Sequence, residues 1–557
     1  MFTFRHIFIN AFILIVNFTL LSQISAVDRI VKYNSTDATG DIQPAVDRIV
    51  KYNSTDATRN IQEALYSGAD RVIIPYQGAG TKWISGPLRL ASDTELVLEP
   101  GVILEAKSGA FTSTTPFLKV VSKSNITITG YGATIRMLID EYTSGEGPTC
   151  ISLYNCSNIT VKGVTLQKSG GDGIYIGAGN SSQNYCDTVL IKDVTCDGNG
   201  RMGIAVISAK NLTVDNCEFK NTGQYNPSGL ATGGPWAGIC FEPNDAAERL
   251  ENIIVKNSTF DNNKNYGLFF ALSNQDNTTR KISINADNCY IKNSDYGIRF
   301  TYRKDSENDS FVEVKNSTIE DTETCAIYFE NWAHGNSAIV TDCTIINPTQ
   351  NSTIGDAIRI ATASDTTVET GDINISGTYI YDNISPYALA IYGGNQDYHI
   401  KDVVGSLYAD FNSSIYIRPS ACVENIDVDL HKFYPDFDVA FSGDADDVGG
   451  TDSEAFLTSS DAIVYPGDYN GDGKTDLFVK GYGTYRTLYL ANSAGDGFNV
   501  IFSGDAYGVG GTSNEAFFTS PDAIVYPGDY NGDGKTDLFG KGYQAYRFLY
   551  YIDGFYN

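Results

Sequence analysis

Short apolar strands return about every thirty residues through the middle of the chain. Between residues 172 and 360 seven such strands each carry a small residue near the start, at intervals of 30, 35, 29, 30, 29 and 31 residues. The seven starts are Gly173-Ile174, Gly203-Ile204, Gly238-Ile239, Gly267-Leu268, Gly297-Ile298, Ala326-Ile327 and Ala357-Ile358. A period in this range without a helical pattern is typical of a solenoid, in which each turn buries its apolar face against the next.

A second series of strands runs out of phase with the first and predicts a second sheet. Its inward positions, two residues apart as strand geometry requires, begin with Val164 and Leu166 and end with Cys343 and Ile345. The residue before each strand is a type that tolerates a tight turn: Gly163, Asp193, Asn216, Asn257, Asn288, Asn316 and Asp342. Two series of strands and one series of turns predict an all-β protein built as a parallel β-helix.

The strand pattern and the composition predict four segments. Residues 1–26 are interpreted as a signal peptide, because Arg5 and His6 precede an apolar run and Ser25-Ala26 follows it. Residues 27–59 hold a near-exact duplication of one short segment, and residues 60–435 form the β-helix, with a helical turn at Ile61–Leu65 as its end cap. Residues 436–557 are expected to be a small β domain of two repeats.

The charge of the chain limits its partners. The formal net charge is -28, and the C-terminal repeats contribute strongly to it. Nucleic acid and anionic membrane attract Lys/Arg patches, so neither is an expected partner. The acidic balance does not favour a polyanionic substrate either. With the signal peptide, we expect an exported protein that is not inserted in a membrane once the signal is cleaved; the oligomeric state is open.

The positions of the ten cysteines do not indicate a simple disulfide framework. Cys217, Cys289 and Cys343 fall in one inward column but on alternate coils, so neighbours are roughly 9.6 Å apart, beyond the roughly 7 Å limit between Cα atoms of a disulfide. These three are expected to be small buried apolar residues. Cys150, Cys156, Cys186 and Cys422 stay open as bridge partners.

Two carboxylates and an arginine on successive coils are the candidate catalytic residues. Asp172 enters one strand among glycines, Glu242 follows the strand two coils later, and Arg201 lies on the coil between them. At the strand spacing the carboxylates are about 9.6 Å apart along the axis, which fits hydrolysis with inversion, for which roughly 6.5 to 9.5 Å is needed. The alternative is structural: Asp172 caps a turn and Glu242 pairs with Arg201.

Aromatic and basic residues near this trio are the candidate sugar-binding residues. The alternate positions of the seven strands are expected to face solvent, and they include Tyr175, Arg299 and Arg359 as well as Ala205 and Cys240. A Gly- and Pro-rich insertion between Thr222 and Trp236 carries two more rings that could stack on a sugar, Tyr225 and Trp236. Glu330 and His334 form a weaker candidate pair.

The C-terminal repeats carry the most specific motif of the chain. Asp-Tyr-Asn-Gly-Asp-Gly-Lys-Thr-Asp occurs at residues 468–476 and again at 529–537. Oxygen ligands at positions 1, 3, 5 and 9 and a backbone carbonyl at position 7 suit Ca²⁺, although position 12 lacks the glutamate of an EF-hand. The predicted calcium ligands are Asp468, Asn470, Asp472, Lys474, Asp476, Asp529, Asn531, Asp533, Lys535 and Asp537.

On these residues the chain resembles two known families. Residues 60–435 resemble the right-handed parallel β-helix superfamily of pectate lyases and polygalacturonases, and the two nine-residue loops resemble the calcium-binding FG-GAP/VCBS repeats of propeller proteins. Gly171-Asp172-Gly173 has a single aspartate, and the Gly-His-Gly element of polygalacturonases is absent. The resemblance thus implies a fold and a polysaccharide substrate but leaves the reaction open.

Three functions are consistent with the sequence. The carboxylate pair favours a secreted polysaccharide-degrading glycoside hydrolase. A lyase or an epimerase on the same scaffold would instead use a cationic base, for which Arg299 and Arg359 are candidates. The third alternative is a non-catalytic glycan-binding or adhesion protein.

Overall fold

The computed structural model describes two parts of the chain. The first is residues 46–433, apart from 143–145, 180–182, 226–233, 277, 279, 303–308, 350–354, 364–365, 383–384 and 411–412. The second consists of residues 463–471, 474–480, 485–491, 498–505, 524–529, 535–541 and 547–550. The predicted signal peptide, the first copy of the duplicated segment, and the predicted ligands Asp472, Asn531 and Asp533 lie outside the described residues. The chain divides into two compact units between Phe433 and Tyr434.

The first unit is a solenoid of parallel strands in one 24-stranded and one 12-stranded sheet. The larger sheet has two parts, called sheet 1 and sheet 2 below, and the smaller one is called sheet 3. Sheet 1 contains Asp47–Ile49, Arg71–Ile74, Thr94–Leu98, Ser124–Thr129, Ser157–Lys162, Cys186–Lys192, Ala209–Asp215, Leu250–Lys256, Ser283–Asp287, Phe311–Lys315 and Ser337–Thr341. Sheet 2 contains Lys82–Ser85, Ile103–Ala106, Thr134–Arg136, Thr165–Gln167, Thr195–Asp197, Glu218–Lys220, Thr259–Asp261, Tyr290–Lys292, Thr318–Glu320 and Thr344–Ile346. Three long strands continue both sheets: Thr370–Tyr381, Ile400–Asp410 and Val423–Phe433.

Sheet 3 has twelve strands and carries the seven-fold repeat. Its strands are Leu88–Arg89, Leu118–Val121, Ile151–Tyr154, Ile174–Gly177, Met202–Val206, Ala237–Phe241, Tyr266–Ala271, Tyr296–Tyr302, Cys325–Trp332, Asp356–Ala361, Tyr387–Tyr392 and Ser414–Ile417. Ile174 lies beside Ile204, and the register continues coil by coil to Ile358. The predicted parallel β-helix is confirmed, because each coil places its apolar residue on the same column of the core.

The first coil begins before the predicted boundary at residue 60. Strand Asp47–Ile49 already pairs with Arg71–Ile74, so part of the second copy of the duplicated segment belongs to the solenoid. The predicted helical turn is confirmed as helix α1, Thr58–Leu65, which buries Ile61, Ala64 and Leu65. A short 3₁₀ helix, Ile139–Glu141, lies between coils further along the chain.

The predicted turn residues have the expected left-handed backbone. All seven, from Gly163 to Asp342, have φ between 49° and 71°. Their side chains also bond from coil to coil: Asn288 Nδ2 donates to Asn257 Oδ1 at 2.9 Å, and Asn316 Nδ2 donates to Asp287 Oδ1 at 2.8 Å. Asparagine therefore suits these turns for two reasons: it tolerates the left-handed backbone angle, and its side chain carries both a hydrogen-bond donor and an acceptor.

All ten cysteines are described and are free thiols. Cys217, Cys289 and Cys343 are at most 3% exposed and belong to the apolar core, which confirms their predicted role. Serines occupy the same column on the coils between them. Each serine accepts a hydrogen bond from the cysteine of the preceding coil: Cys217 N donates to Ser258 Oγ and Cys289 N donates to Ser317 Oγ, each at 3.1 Å.

The second unit contains two antiparallel sheets of equivalent sequence. The first comprises Ile463–Gly467, Asp476–Lys480, Tyr485–Ala491 and Phe498–Asp505, and the second comprises Ile524–Gly528, Asp537–Lys541 and Arg547–Tyr550. Strands spaced by 61 residues agree with the tandem repeat, whereas the propeller arrangement stays a prediction. Across both described parts, no helix is long and apolar enough to cross a membrane.

Candidate active site

Three successive strands of sheet 3 bring Asp172, Arg201 and Glu242 together. Asp172 and Arg201 each precede a strand, whereas Glu242 directly follows one. Backbone hydrogen bonds between neighbouring coils hold two of these residues in register. Arg201 N donates to Gly171 O and Glu242 N donates to Val206 O, both at 3.0 Å. The predicted order, with the arginine on the coil between the carboxylates, is observed.

The Arg201 guanidinium lies among three carboxyl groups. Its Nη2 is 3.2 Å from Glu242 Oε1 and 3.7 Å from Glu146 Oε1, and its Nη1 is 4.0 Å from Asp172 Oδ2. The Arg201 and Asp172 side chains are only 11% and 5% exposed, whereas the Glu146 side chain is 78% exposed. Arg201 therefore joins two enclosed carboxyl groups to one in solvent.

The enclosed carboxyl groups are poorly solvated, and this determines their protonation. Burial raises the pKa of Asp172 to about 8, against the opposing charge of Arg201, and Asp172 Oδ1 has no hydrogen-bond partner in the protein. Burial also raises the pKa of Glu242, again opposed by Arg201. Desolvation thus outweighs the ion pairs at both positions.

A cavity of about 270 Å³ opens over this cluster. Its lining comprises Glu146, Tyr175, Arg201, Ile207, Glu242, Pro243, Asn244, Ala271, Ser273 and Asn274. Asp172 does not line the cavity, because Arg201 lies over it and its residue exposure is 3%. Of the predicted catalytic trio, Glu242 and Arg201 reach the cavity, and Asp172 supports them from below.

Tyr175 is the predicted sugar-binding residue that lies in the cavity wall. A Cβ atom at Gly177 would lie 2.4 Å from the Tyr175 ring, so glycine at that position leaves room for the ring. On its other side the Tyr154 ring is 5.2 Å away, centroid to centroid. The ring is therefore held in one place, which suits contact with a sugar.

The expectation that all alternate positions of sheet 3 face solvent is wrong at its centre. Ala205 and Cys240 are fully buried in a small outer cluster with Met202, Ala237 and Tyr266. Tyr175 and Phe269, their neighbours along the same column, pack against this cluster. Large rings on adjacent coils cover the small side chains between them, so the groove floor here is apolar.

The two rings of the insertion do not line the cavity. Tyr225 donates a hydrogen bond to Asp140 Oδ1 at 2.6 Å and is 47% exposed. The Trp236 ring lies under the Lys264 ammonium, which is 3.9 Å from the ring centroid. Both rings therefore lie away from this cavity, and their role in sugar stacking stays a prediction.

The two outward arginines are engaged by neighbouring side chains. Arg299 bonds to Glu330 and to the Tyr266 hydroxyl, and Arg359 Nε donates to the buried Asp356 at 2.6 Å. The side chains are 21% and 13% exposed, and neither arginine lines the cavity. Their ion pairs make them supports of the sheet surface in this structure, as the salt-bridge alternative anticipated.

Glu330 and His334 do not form a pair. Glu330 binds Arg299 instead, and His334 Nε2 lies 2.9 Å from Asp402 Oδ2 and 3.5 Å from Asp372 Oδ2. The three groups His334, Asp372 and Asp402 offer atoms within 4.8 Å of one another. The hydrogen bond between His334 Nε2 and Asp402 Oδ2 links two coils in this arrangement.

The sequence interpretation missed Glu146, Ser273 and Asn274. All three lie outside the strands of sheet 3. The thirty-residue period predicts which way a strand side chain points but not which way a loop side chain points. A signal was available for Glu146, because Glu146-Gly147-Pro148 immediately precedes a coil and Gly147 packs closely on Gly170 and Gly171.

The comparisons with known proteins support the fold. A family model described as "Right handed beta helix region" matches residues 146–304, which agrees with the expected handedness. A search of curated proteins finds no match.

Three solved structures are similar to this chain over about two thirds of its length. A hyperthermoactive exopolygalacturonase from Thermotoga maritima is 13% identical, covers 70% of this chain and 92% of its own, and gives a TM-score of 0.43. The A-module of mannuronan C-5 epimerase AlgE6 from Azotobacter vinelandii is 12% identical over 68% and 96%, with a TM-score of 0.48. The Streptococcus pneumoniae surface protein and adhesin PfbA is 14% identical over 68% and 95%, with a TM-score of 0.35. Since the three TM-scores lie below 0.5, nothing about this chain is argued from these likenesses.

Proposed function

We propose that this protein is a secreted glycoside hydrolase that degrades a polysaccharide in the cavity over Arg201. The observation that carries the proposal is the pair of carboxyl groups, Glu242 and Glu146, that line one cavity and contact the same guanidinium nitrogen. Hydrolysis of a glycosidic bond needs two carboxyl groups in different protonation states. The environments of the two groups favour different protonation states, because Glu242 is enclosed by the protein and Glu146 is exposed to solvent.

Glu242 is assigned as the general acid. Burial raises its pKa, so it holds a proton to higher pH than an exposed glutamate and can deliver it to the leaving oxygen. Glu146 is assigned as the base that activates water, because its exposed carboxylate remains accessible to solvent. The nearest oxygens of the two groups are separated by at most the sum of their distances to Nη2, 3.2 and 3.7 Å. That limit includes both the roughly 5 to 5.5 Å typical of retaining enzymes and the lower end of the roughly 6.5 to 9.5 Å typical of inverting enzymes, so it does not decide between the two.

Asp172 and Arg201 are assigned as positioning residues. The guanidinium fixes both glutamates, and Asp172 contacts the guanidinium from the buried side. The Tyr175 ring in the wall is suited to pack on a pyranose, whose apolar face matches an aromatic surface. This revises the sequence-based pair, because Glu146 replaces Asp172 at the cavity.

The proposal is tested by incubating the purified protein with neutral and acidic polysaccharides. New reducing ends and the absorbance of an unsaturated product are followed together. Reducing ends without the absorbance support hydrolysis, and both Glu242→Gln and Glu146→Gln should then lower kcat at least about a hundredfold. Glu218→Gln, on sheet 2, is the matched control and should retain activity.

The same assay separates the alternatives. Absorbance that rises with the reducing ends would replace hydrolysis by elimination, and a change in uronate configuration without cleavage would indicate an epimerase. Binding to a glycan without any product, measured by affinity electrophoresis, would favour an adhesion function.

We also propose that the C-terminal loops bind Ca²⁺. In the described part of the first loop, Gly471 N donates to Asp468 Oδ1 at 2.7 Å, and Tyr469 N donates to Asp476 Oδ2 at 2.9 Å. Asp468 O also accepts a hydrogen bond of 2.6 Å from Thr536 N of the second loop. Folded loops rich in carboxylate oxygen fit a hard cation of this size.

A further inference from the structure

Two of the ten cysteines face each other across adjacent coils. Ser157 is the register partner of Asp187 in sheet 1, and Asp187 N donates to Cys156 O at 2.8 Å. The residues just before them, Cys156 and Cys186, are therefore neighbours. Both side chains are fully buried in the core. The Cys156 thiol donates to Tyr154 O at 3.1 Å, and the Cys186 thiol donates to Gly177 O at 3.6 Å.

This pair meets a geometric requirement that the column of Cys217, Cys289 and Cys343 does not. Neighbouring parallel strands are about 4.8 Å apart, which lies inside the roughly 4.4 to 6.8 Å range of Cα separations in disulfides. In contrast, Cys217 faces Val194 and Ser258 on the adjacent coils, and Cys289 faces Ser258 and Ser317. A shared column on consecutive coils places the two Cα atoms at a separation that allows a bond without movement of the backbone.

We propose that Cys156 and Cys186 form a disulfide when the chain folds in an oxidising environment. With oxidised glutathione as the oxidant, one thiolate attacks the glutathione disulfide and releases one glutathione thiol. The thiolate of the other cysteine then attacks the mixed disulfide and releases the second glutathione. The two cysteines lose two protons and two electrons, and the oxidant is reduced to two thiols. Because both sulfurs are enclosed in the native core, the exchange takes place before the coils close.

The crosslink would anchor the loop that supports the cavity wall. The loop between the strand of Tyr175 and Cys186 reaches the segment after Glu242: Asn184 Nδ2 donates to Ala247 O at 2.9 Å. The Arg249 guanidinium also lies over the Tyr185 ring, 4.2 Å from its centroid. A bond at Cys186 holds the base of this loop to the preceding coil, next to the wall at Pro243 and Asn244.

The test is to refold the full chain in a buffer of oxidised and reduced glutathione, block free thiols with iodoacetamide in denaturant, and map peptides without reduction. We expect one peptide pair joined through Cys156 and Cys186, and two fewer alkylated cysteines than in the reduced protein. Production in an oxidising compartment followed by the same mapping serves if refolding yields no folded chain. Neither readout depends on catalytic activity.

Matched variants make the result specific. Cys289→Ser, which removes an equally buried thiol from another column, should keep the crosslink and its increase in Tm over the reduced protein. Cys186→Ser should abolish both and leave Cys156 alkylated. Alkylation of both Cys156 and Cys186 in oxidatively folded wild-type protein, or their linkage to other cysteines, would overturn the proposal.

Discussion

At the scale of single residues, the dominant fact is that Arg201 offsets only part of the cost of burying two carboxyl groups. Asp172 is enclosed on all sides, and its Oδ1 has no hydrogen-bond partner in the protein. A carboxylate in this position would be strongly destabilising, so the group takes up a proton instead. This balance leads to two predictions that concern pH.

The stability of the folded protein should fall as pH rises from about 4 to about 8, because of Asp172. Asp172 in the folded protein has a pKa of about 8, against an ordinary aspartate pKa of 3.8. In this window the folded state therefore keeps a proton that the unfolded state has lost. The folded state binds more protons, so the free energy of unfolding decreases with pH, by at most about 1.4 kcal/mol per pH unit for one proton. Chemical denaturation at several pH values measures this slope.

Asp172→Asn removes the titrating group while keeping its shape, so it should flatten the slope in that window. Asp215→Asn is a suitable control, because the pKa of Asp215 is lowered and its effect belongs at lower pH. A slope that is unchanged in Asp172→Asn would show that Asp172 is ionised in the folded protein.

Arg201→Gln should move the alkaline limb of the activity profile to higher pH. The Arg201 charge lowers the pKa of Glu242, so its removal raises that pKa further and lets the general acid stay protonated longer. Arg201→Lys keeps the charge and should move the limb much less, although one ammonium cannot contact all three carboxyl groups. Plots of kcat against pH for the three proteins decide the matter, and an unshifted limb in Arg201→Gln would contradict Glu242 as the acid.

At the scale of secondary-structure elements, the turn residues define each coil. The φ of 52° at Asn288 lies in the left-handed region, and its side chain bonds to the coil before it. The angle and the bond are separate contributions to stability, so two substitutions can distinguish them.

Asn288→Ala should lower the free energy of unfolding by roughly 2 kcal/mol, since it loses both the bond and the tolerance for positive φ. Asn288→Gly loses the bond alone and should recover about half of that amount. Urea denaturation of the full chain measures the free energy of unfolding of both variants. Equal losses would show that the positive φ costs alanine nothing at this turn.

The sequence predicts elements well because strand pairing repeats and loops do not. The strand register could be predicted from spacing, as between Gly203-Ile204 and Gly238-Ile239. The turns could be predicted from residue type, as at Asn257 and Asn288. The order Asp172, Arg201, Glu242 followed from the same register. Glu146 escaped because it lies in a loop, and burial of Cys240 escaped because it depends on where the neighbouring rings point.

At the scale of the whole molecule, a largely parallel solenoid is combined with an antiparallel unit of different composition. The solenoid owes its stability to a continuous apolar core and its coil-to-coil ladders. The second unit carries 18 acidic against 6 basic residues over positions 437–557. Mutual repulsion among these charges destabilises a compact state unless cations or ion pairs compensate it.

Chelation of calcium should therefore destabilise the second unit selectively. Binding of the ion to the folded loops alone raises the free energy of unfolding by about 2.7 kcal/mol at a hundredfold excess over Kd, and EGTA should remove that amount. Differential scanning calorimetry should show one transition that moves to lower temperature with EGTA and another, from the solenoid, that stays in place. Asp468→Ala combined with Asp529→Ala should reproduce the EGTA trace and make it insensitive to calcium, whereas Asp193→Ala, in a solenoid turn, should leave the calcium response intact. Identical traces with calcium and with EGTA would contradict calcium binding, and the two carboxylates that accept backbone amides, Asp468 and Asp476, would then serve to close the loop alone.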